Sequence, residues 1–202
     1  MKKVAAVLLV MVCTWGASAW AEMPPQELVR DTAEKMIAKL KEEKEVVAAE
    51  PGRIYELVNA IVLPHFDFEY MSRSVLAKYW RRATAEQRAS FVNEFRTLLV
   101  RTYATSLSEY TDETIHYLPF RGKADDTEVT VRTEVEQPGA FPIPIDYRLH
   151  RKEDQWLVFD VLIDDVSLVT NYQTSFANEI RKSGLDDFIS TLAQRNKQVT
   201  GG

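Results

Sequence analysis

The sequence predicts an α+β domain: an antiparallel sheet preceded and followed in the chain by helices that pack on it. Three observations carry this. Apolar residues recur at helical spacing as far as Tyr110, the period changes to alternation from Thr114, and helical spacing returns after Val166. The mature chain therefore reads as one domain over residues 22–202, helical over 22–110, sheet over 114–164 and helical again over 166–195.

Residues 1–21 stand apart from it. Lys2 and Lys3 precede an apolar run from Val4 to Val12, and Ala19-Trp20-Ala21 has the small-residue form of a signal-peptidase site, with Ala17-Ser18-Ala19 as a second frame. A basic start, a short apolar middle and a small-residue exit predict a secretory signal and a periplasmic mature chain from Glu22. No later stretch approaches the ~20 apolar residues of a membrane span. Cys13 is the only cysteine; a lipoprotein signal also ends at cysteine but wants a small residue before it, where Val12 stands. The mature chain then has no disulfide, so its stability must come from a packed core. The signal carries two lysines and no acid, so its removal leaves a chain more acidic than the formal −5 of the whole. Such a chain is a poor non-specific ligand for nucleic acid or anionic lipid, and nucleic acid is set aside as a partner.

Glu22 to Leu63 reads as two helices. Val29, Ala33, Met36, Ile37 and Leu40 fall at helical spacing, with Asp31 four residues before Lys35. The Lys39–Glu45 charge run reads as the solvated end of that helix. Pro51-Gly52 breaks the chain, Ile54, Leu57, Val58 and Ile61 form a second stripe, and Pro64 ends it. Asp67 is placed to cap a third helix carrying Met71, Val75, Leu76 and Tyr79. Thr84-Ala85-Glu86-Gln87 has the capping-box form, and Val92, Phe95, Leu99, Tyr103, Leu107 and Tyr110 follow at steps of three and four.

Val129, Val131, Thr133 and Val135 alternate with polar neighbours, as do Ile145, Tyr147 and Leu149. Trp156 to Ile163 is apolar on both phases except at Asp160. Polar turns at Arg121–Asp126, Gln137–Gly139 and Arg151–Asp154 imply antiparallel neighbours. Two helical stretches close the chain, Val169 to Ile180 and Leu185 to Leu192, parted by Gly184.

Chemistry is sparse. His65, His116 and His150 stand far apart with no second ligand at metal-binding spacing, so no metal is expected. There is no Gly-rich phosphate loop and no G-x-S-x-G elbow. Asp160 is the one acid that alternation places with Trp156, Val158 and Leu162, on the face that a tight turn would pair with Ile145, Tyr147 and Leu149. There it is either an acid or base of raised pKa or a core carboxylate with satisfied hydrogen bonds. No second catalytic group accompanies it, and catalysis is not expected. The apolar bulk of strands and helices fits an ordinary core or a ligand cavity.

The stretch from Phe66-Asp67-Phe68-Glu69-Tyr70-Met71-Ser72-Arg73 through Tyr79-Trp80-Arg81-Arg82 to Thr84-Ala85-Glu86-Gln87-Arg88 resembles the MlaC-like periplasmic phospholipid-binding proteins, also called the toluene-tolerance family. The likeness continues at Phe91, Phe95, Leu98, Leu99 and Thr102-Tyr103. It resumes at Pro142-Ile143-Pro144-Ile145-Asp146-Tyr147-Arg148-Leu149, Trp156, Asp160-Val161, Val166-Ser167-Leu168-Val169, Asn171-Tyr172 and Gly184-Leu185-Asp186. Ala77, Gln155 and Asp165 stand where the family pattern has Gly, and Gln173 where it has Arg.

The resemblance implies an NTF2-like curved sheet and flanking helices enclosing an apolar cavity, with phospholipid as cargo and no cofactor. It implies a shuttle between an inner-membrane ABC transporter complex and an outer-membrane lipoprotein–porin complex that maintains outer-membrane lipid asymmetry. The apolar stripes then supply the candidate cavity residues: Phe66, Phe68, Met71, Val75 and Leu76; Phe95, Leu98, Leu99, Tyr103 and Leu107; Val129 and Val131; Ile145, Tyr147 and Leu149; and Trp156, Val158 and Val161. Phe95, Leu99 and Tyr103 would face Val131, Tyr147 and Val158 across the acyl chains. Alternatives are a chaperone for outer-membrane proteins and an enzyme of similar cone-shaped fold using Asp160.

Overall fold

The chain between Glu22 and Leu63 turns once more than its apolar stripes suggest. In the computed structural model, which describes residues 23–108, 113–123, 125–136 and 139–198, it forms α1 (Pro25–Glu42), α2 (Lys44–Ala49) and α3 (Arg53–Ile61). The Lys39–Glu45 run is thus the junction of two helices rather than one helix end. Glu43 ends α1 and is gripped by both arms of Arg53, Nε to Oε2 at 2.6 Å and Nη2 to Oε1 at 3.0 Å, while Val47 of α2 turns inward. The predicted signal segment lies outside the described residues, as do Tyr110 and Gln137.

The two predicted caps are in place. The Asp67 carboxylate accepts the Tyr70 N–H at 3.0 Å and starts α4 (Phe68–Leu76). Thr84 Oγ1 accepts the Gln87 N–H at 3.2 Å while Gln87 Oε1 accepts the Thr84 N–H at 2.9 Å, the reciprocal pair that opens α5 (Ala85–Ser108). Asp67 also ties helix to sheet. Its N–H donates to the Val158 carbonyl at 2.9 Å, and its second carboxylate oxygen meets Lys152 Nζ at 2.9 Å and His150 Nε2 at 3.2 Å. Burial pushes this carboxyl up, but the Tyr70 N–H and the Lys152 ammonium outweigh burial and hold it below its ordinary value.

Five strands follow in a simple antiparallel meander: β1 (Thr114–Tyr117), β2 (Glu128–Glu136), β3 (Ile143–Lys152), β4 (Gln155–Ile163) and β5 (Val166–Ser167). The α+β class and the short antiparallel connections are as the sequence predicts. β5 is a strand where a helix was expected from Val166; the helix α6 (Leu168–Ser183) begins two residues later. Ser167 is its cap, its hydroxyl accepting the Thr170 N–H at 3.1 Å. The last helix is α7 (Leu185–Gln198).

Asp160 does not lie where strict alternation puts it. Leu149 pairs with Val158, but Arg148 pairs with Asp160, so one extra residue is accommodated in β4 and the register shifts. Beyond the bulge Val161 and Ile163, not Asp160 and Leu162, oppose Tyr147 and Ile145. Asp160 therefore points to the opposite face, 2% exposed, where it accepts the Ser167 hydroxyl at 2.7 Å and the Val169 N–H at 3.1 Å, with Arg148 at 3.6 Å. It anchors the start of α6.

Three apolar clusters meet around α5. Phe91, Phe95 and Leu99 pack with α4, α6, α7 and Phe159 of β4; Val100 and Ala104 pack with α1, α2 and α3; Tyr103 reaches the sheet cluster that Leu28 and Val29 of α1 cover. A helix used on so many sides must be apolar around most of its girth.

Two expected outcomes follow. Asp160→Ala lowers stability by about 2 kcal/mol in urea denaturation, because two donors lose a buried acceptor; a cost under about 0.5 kcal/mol would contradict the anchoring role. Ala77, where a Gly was expected, sits at φ 48°, ψ −114° and is exposed. Ala77→Gly raises stability by about 1 kcal/mol, the relief of Cβ strain exceeding the added chain entropy, and thermal unfolding reads the sign.

Candidate functional site

Pairing across the meander decides which side chains share a face. Ile115 and Tyr117 of β1 stand opposite Val135 and Thr133 of β2; Val129, Val131, Thr133 and Val135 stand opposite Leu149, Tyr147, Ile145 and Ile143 of β3. The bulge then brings Val158, Val161 and Ile163 of β4 onto the same side. Four strands thus present a continuous apolar face. Between Ile143 and Leu149 the strands place no charged side chain on it. Its one hydroxyl outside the tyrosines, that of Thr133, donates to the Ile145 carbonyl at 2.7 Å. The opposite face carries Arg132, Glu134, Asp146, Arg148 and Asp160.

The apolar face is not uniformly closed. Val129, Val131, Leu149, Trp156, Val158 and Val161 are buried, whereas Ile115, Tyr117, Val135, Ile143, Ile145, Tyr147 and Ile163 are half-buried. The half-buried set occupies one end of the sheet and the sealed set the other. Tyr147 lies where they meet. Desolvation, with the neighbouring Tyr117 adding to it, pushes its phenol up to about 12. Large apolar side chains left half-buried there keep on the order of 1 kcal/mol each still to be gained on full burial. The face can therefore bind chains of methylenes.

The structure divides the sequence-predicted cavity residues into groups. Val129, Val131, Leu149, Trp156, Val158 and Val161 form one cluster, with Phe66, Tyr103, Ile145 and Tyr147 against it. Met71, Val75, Leu76, Phe95 and Leu99 belong to the helical core, with Phe68 and Leu98 at its border, and Leu107 lies against the α1–α3 cluster. Phe95 stacks on Phe91 and meets Tyr172 and Phe176 edge-on, so of the long-helix trio it is Tyr103 that reaches the sheet. Its phenol, pushed up to about 12 by burial, pairs with Tyr172.

The candidate cavity residues read from the sequence did not include Ile115, Tyr117, Val135, Ile143, Ile163, Tyr172, Leu168 or the α1 pair Leu28 and Val29, which lie on or against this face. Alternation could have found Val135 and Ile143, which continue runs already read. β1 is too short for a periodic signal, and Ile163 joins the face only through the bulge. Two open surface grooves, of about 340 and 360 Å³, lie at Leu63–Phe68 with Arg96 and Lys152 and on the outer face around Arg121, Arg132 and Arg148. Their ionic rims suit them poorly to acyl chains.

Known proteins share this architecture. The solved structure of the phospholipid-binding protein from Ralstonia solanacearum, in complex with a phospholipid, is 31% identical, superposes with a TM-score of 0.81, and the match covers 89% of this chain and 99% of that one. The toluene tolerance protein ttg2D of Pseudomonas putida is 28% identical over 181 residues, 89% of this chain and 83% of that protein. The intermembrane phospholipid transport system binding protein MlaC of Haemophilus influenzae is 25% identical over 184 residues, 90% and 86% of the two chains. Residues 30–194 match the profile of the family described as MlaC protein. With the match running from the first helix to the last and the sheet between them in the same arrangement, this chain belongs to the MlaC family.

Proposed function

We propose that this chain is a periplasmic carrier that encloses phospholipid acyl chains against the apolar sheet face and moves lipid between the inner and outer membranes. At the coarser level a member of the MlaC family is a phospholipid-binding transport protein and not an enzyme. The observation that carries the finer reading is the half-buried apolar surface around Tyr147, which in this reading lines the lipid hollow. It lies on a charge-free face of the same fold in which a 31% identical relative holds phospholipid.

The energetics suit a carrier. Exposing a methylene to water costs roughly 0.8 kcal/mol, so two acyl chains of about thirty methylenes would lose on the order of 20 kcal/mol in bare water. A carrier must cover nearly all of that surface, and a four-strand apolar face roofed by α1, Tyr103 and Tyr172 is built for it. The basic, apolar and small-residue pattern of residues 1–21 supports export to the periplasm. The acidic mature chain favours protein docking sites over direct adhesion to anionic leaflets. An ABC transporter complex in the inner membrane and a lipoprotein–porin complex in the outer membrane fit that role, with outer-membrane lipid asymmetry as the outcome. Asp160 supports no enzymatic alternative, since it is turned away from the hollow and committed to α6.

Within this reading the hollow is bounded by Val129, Val131, Ile145, Tyr147, Leu149, Trp156, Val158, Val161, Phe66 and Tyr103, while Met71, Val75, Leu76 and Phe95 are plain core. Ile145→Trp then fills space that lipid would occupy. Phospholipid per protein, read by native mass spectrometry, falls severalfold while the lipid-free protein keeps its melting temperature. In a solid core the same change would cost typically 1–3 kcal/mol and leave bound lipid unchanged, which would refute the assignment. Leu76→Ala behaves oppositely, costing about 2–5 kcal/mol with lipid per folded protein unchanged.

A further inference from the structure

Polar groups are rare around the hollow, and three of them lie next to one another. Arg30 of α1 places its guanidinium 4.1 Å from the centre of the Tyr117 ring, and Tyr117 is the neighbour felt by the Tyr147 phenol. Tyr103 and Tyr172 satisfy each other, and Thr133 is bonded to the backbone. The Tyr147 hydroxyl, in contrast, is half-buried and has no hydrogen-bond partner among the described residues, so it is open to a ligand's acceptor. Arg30 is half-buried and has no carboxylate partner among the described residues, although acids outnumber bases in this chain. A phenol without a hydrogen-bond partner and a guanidinium without a carboxylate among the described residues, both beside an apolar sheet face, mark where a ligand's oxygens belong.

We infer that Arg30, Tyr117 and Tyr147 form the head-end recognition site for a diacyl glycerophospholipid, with Tyr147 donating to an ester carbonyl and Arg30 holding the phosphate. This rests on the phospholipid-carrier reading and names the part of the lipid that the apolar face cannot read. The division of labour follows from charge and depth. Tyr147 is a neutral donor on a stretch of sheet without a cation, so it suits a neutral acceptor; a phosphate brought there would lose its hydration uncompensated. Arg30, on the covering helix and nearer solvent, presents the planar fork that phosphate oxygens take. Tyr117 stacks under the guanidinium and orients it. Strand geometry agrees. Tyr147 lies four residues, about 13 Å, from the Ile143 end, so a carbonyl bound there leaves the headgroup toward the half-buried end and directs the acyl chain toward Leu149 and Trp156.

The test uses delipidated full-length protein loaded from detergent micelles that hold two lipids in equal amounts, with the bound ratio read by native mass spectrometry. One mixture pairs dipalmitoyl phosphatidylethanolamine with its diether analogue, and the other pairs it with dipalmitoylglycerol. Wild-type protein takes the diester over the diether by about fivefold and the phospholipid over the diacylglycerol by about tenfold. Tyr147→Phe abolishes the first preference and keeps the second; Arg30→Met abolishes the second and keeps the first. Equal uptake by the wild-type protein in either mixture, or a variant that retains the preference assigned to its residue, overturns the inference. Tyr147→Phe also keeps the melting temperature of the lipid-free protein, because the hydroxyl has no protein partner to lose; a fall of several degrees would show it bonded within the protein and overturn its role. If wild-type protein takes up none of these lipids, the carrier reading itself fails. Uptake of all three without preference leaves that reading standing and removes only this site.

Discussion

The register shift between Arg148–Leu149 and Val158–Asp160 separates the two faces on which the rest of the protein depends. Without it, alternation would carry Asp160 and Leu162 onto the apolar face and send Val161 and Ile163 outward. A buried carboxylate on that face, without a partner, would cost several kcal/mol or take up a proton. One extra residue in β4 instead lets Trp156, Val158, Val161 and Ile163 all look inward. It also puts Phe159 into the helical core and Asp160 under the start of α6. A bulge also bends and twists its strand, which suits a sheet that must wrap a ligand.

The helices divide labour around this sheet. α4, α6 and α7 close a core of aromatic side chains around Phe91 and Phe95, separate from the apolar sheet face. α1 and the Tyr103 end of α5 cover the apolar face, and there the packing is incomplete. Asp67 clips the two parts together by binding the Val158 carbonyl, Lys152 and His150 at once. A carrier needs both properties: a rigid frame that survives loss of cargo, and one interface left short of apolar partners so that cargo can supply them.

Much of this was legible in the residues. The change from helical to alternating period located the sheet, because side-chain direction repeats every two residues in a strand and every 3.6 in a helix. Asp67 and the Thr84–Gln87 pair were readable as caps because their hydrogen bonds span only three residues. The family likeness of Phe66–Arg88 and Pro142–Leu149 pointed to lipid, and the fold of a phospholipid-bound relative agrees with it. Ala77 and Asp165 stand where Gly was expected and both take positive φ, at 48° and 63°, so the backbone kept a geometry that its residues resist. Gln155 does not; the positive φ of that hairpin falls on Glu153.

By itself the sequence determined the α+β order, the helix starts at Asp67 and Thr84, and the alternation of β2 and β3. These rest on interactions within a few residues of one another. Only the tertiary structure decided which apolar residues are sealed in the helical core and which stay half-buried on the sheet face. Leu76 and Tyr147 are both apolar positions of a periodic pattern, yet one is sealed in the helical core and the other stays half-buried on the sheet. Only the structure placed the bulge, since an extra residue in a strand apolar on both phases leaves no trace in periodicity. Only the structure brought Arg30 over Tyr117, because the eighty-odd residues between them say nothing about contact until the chain has folded back on itself.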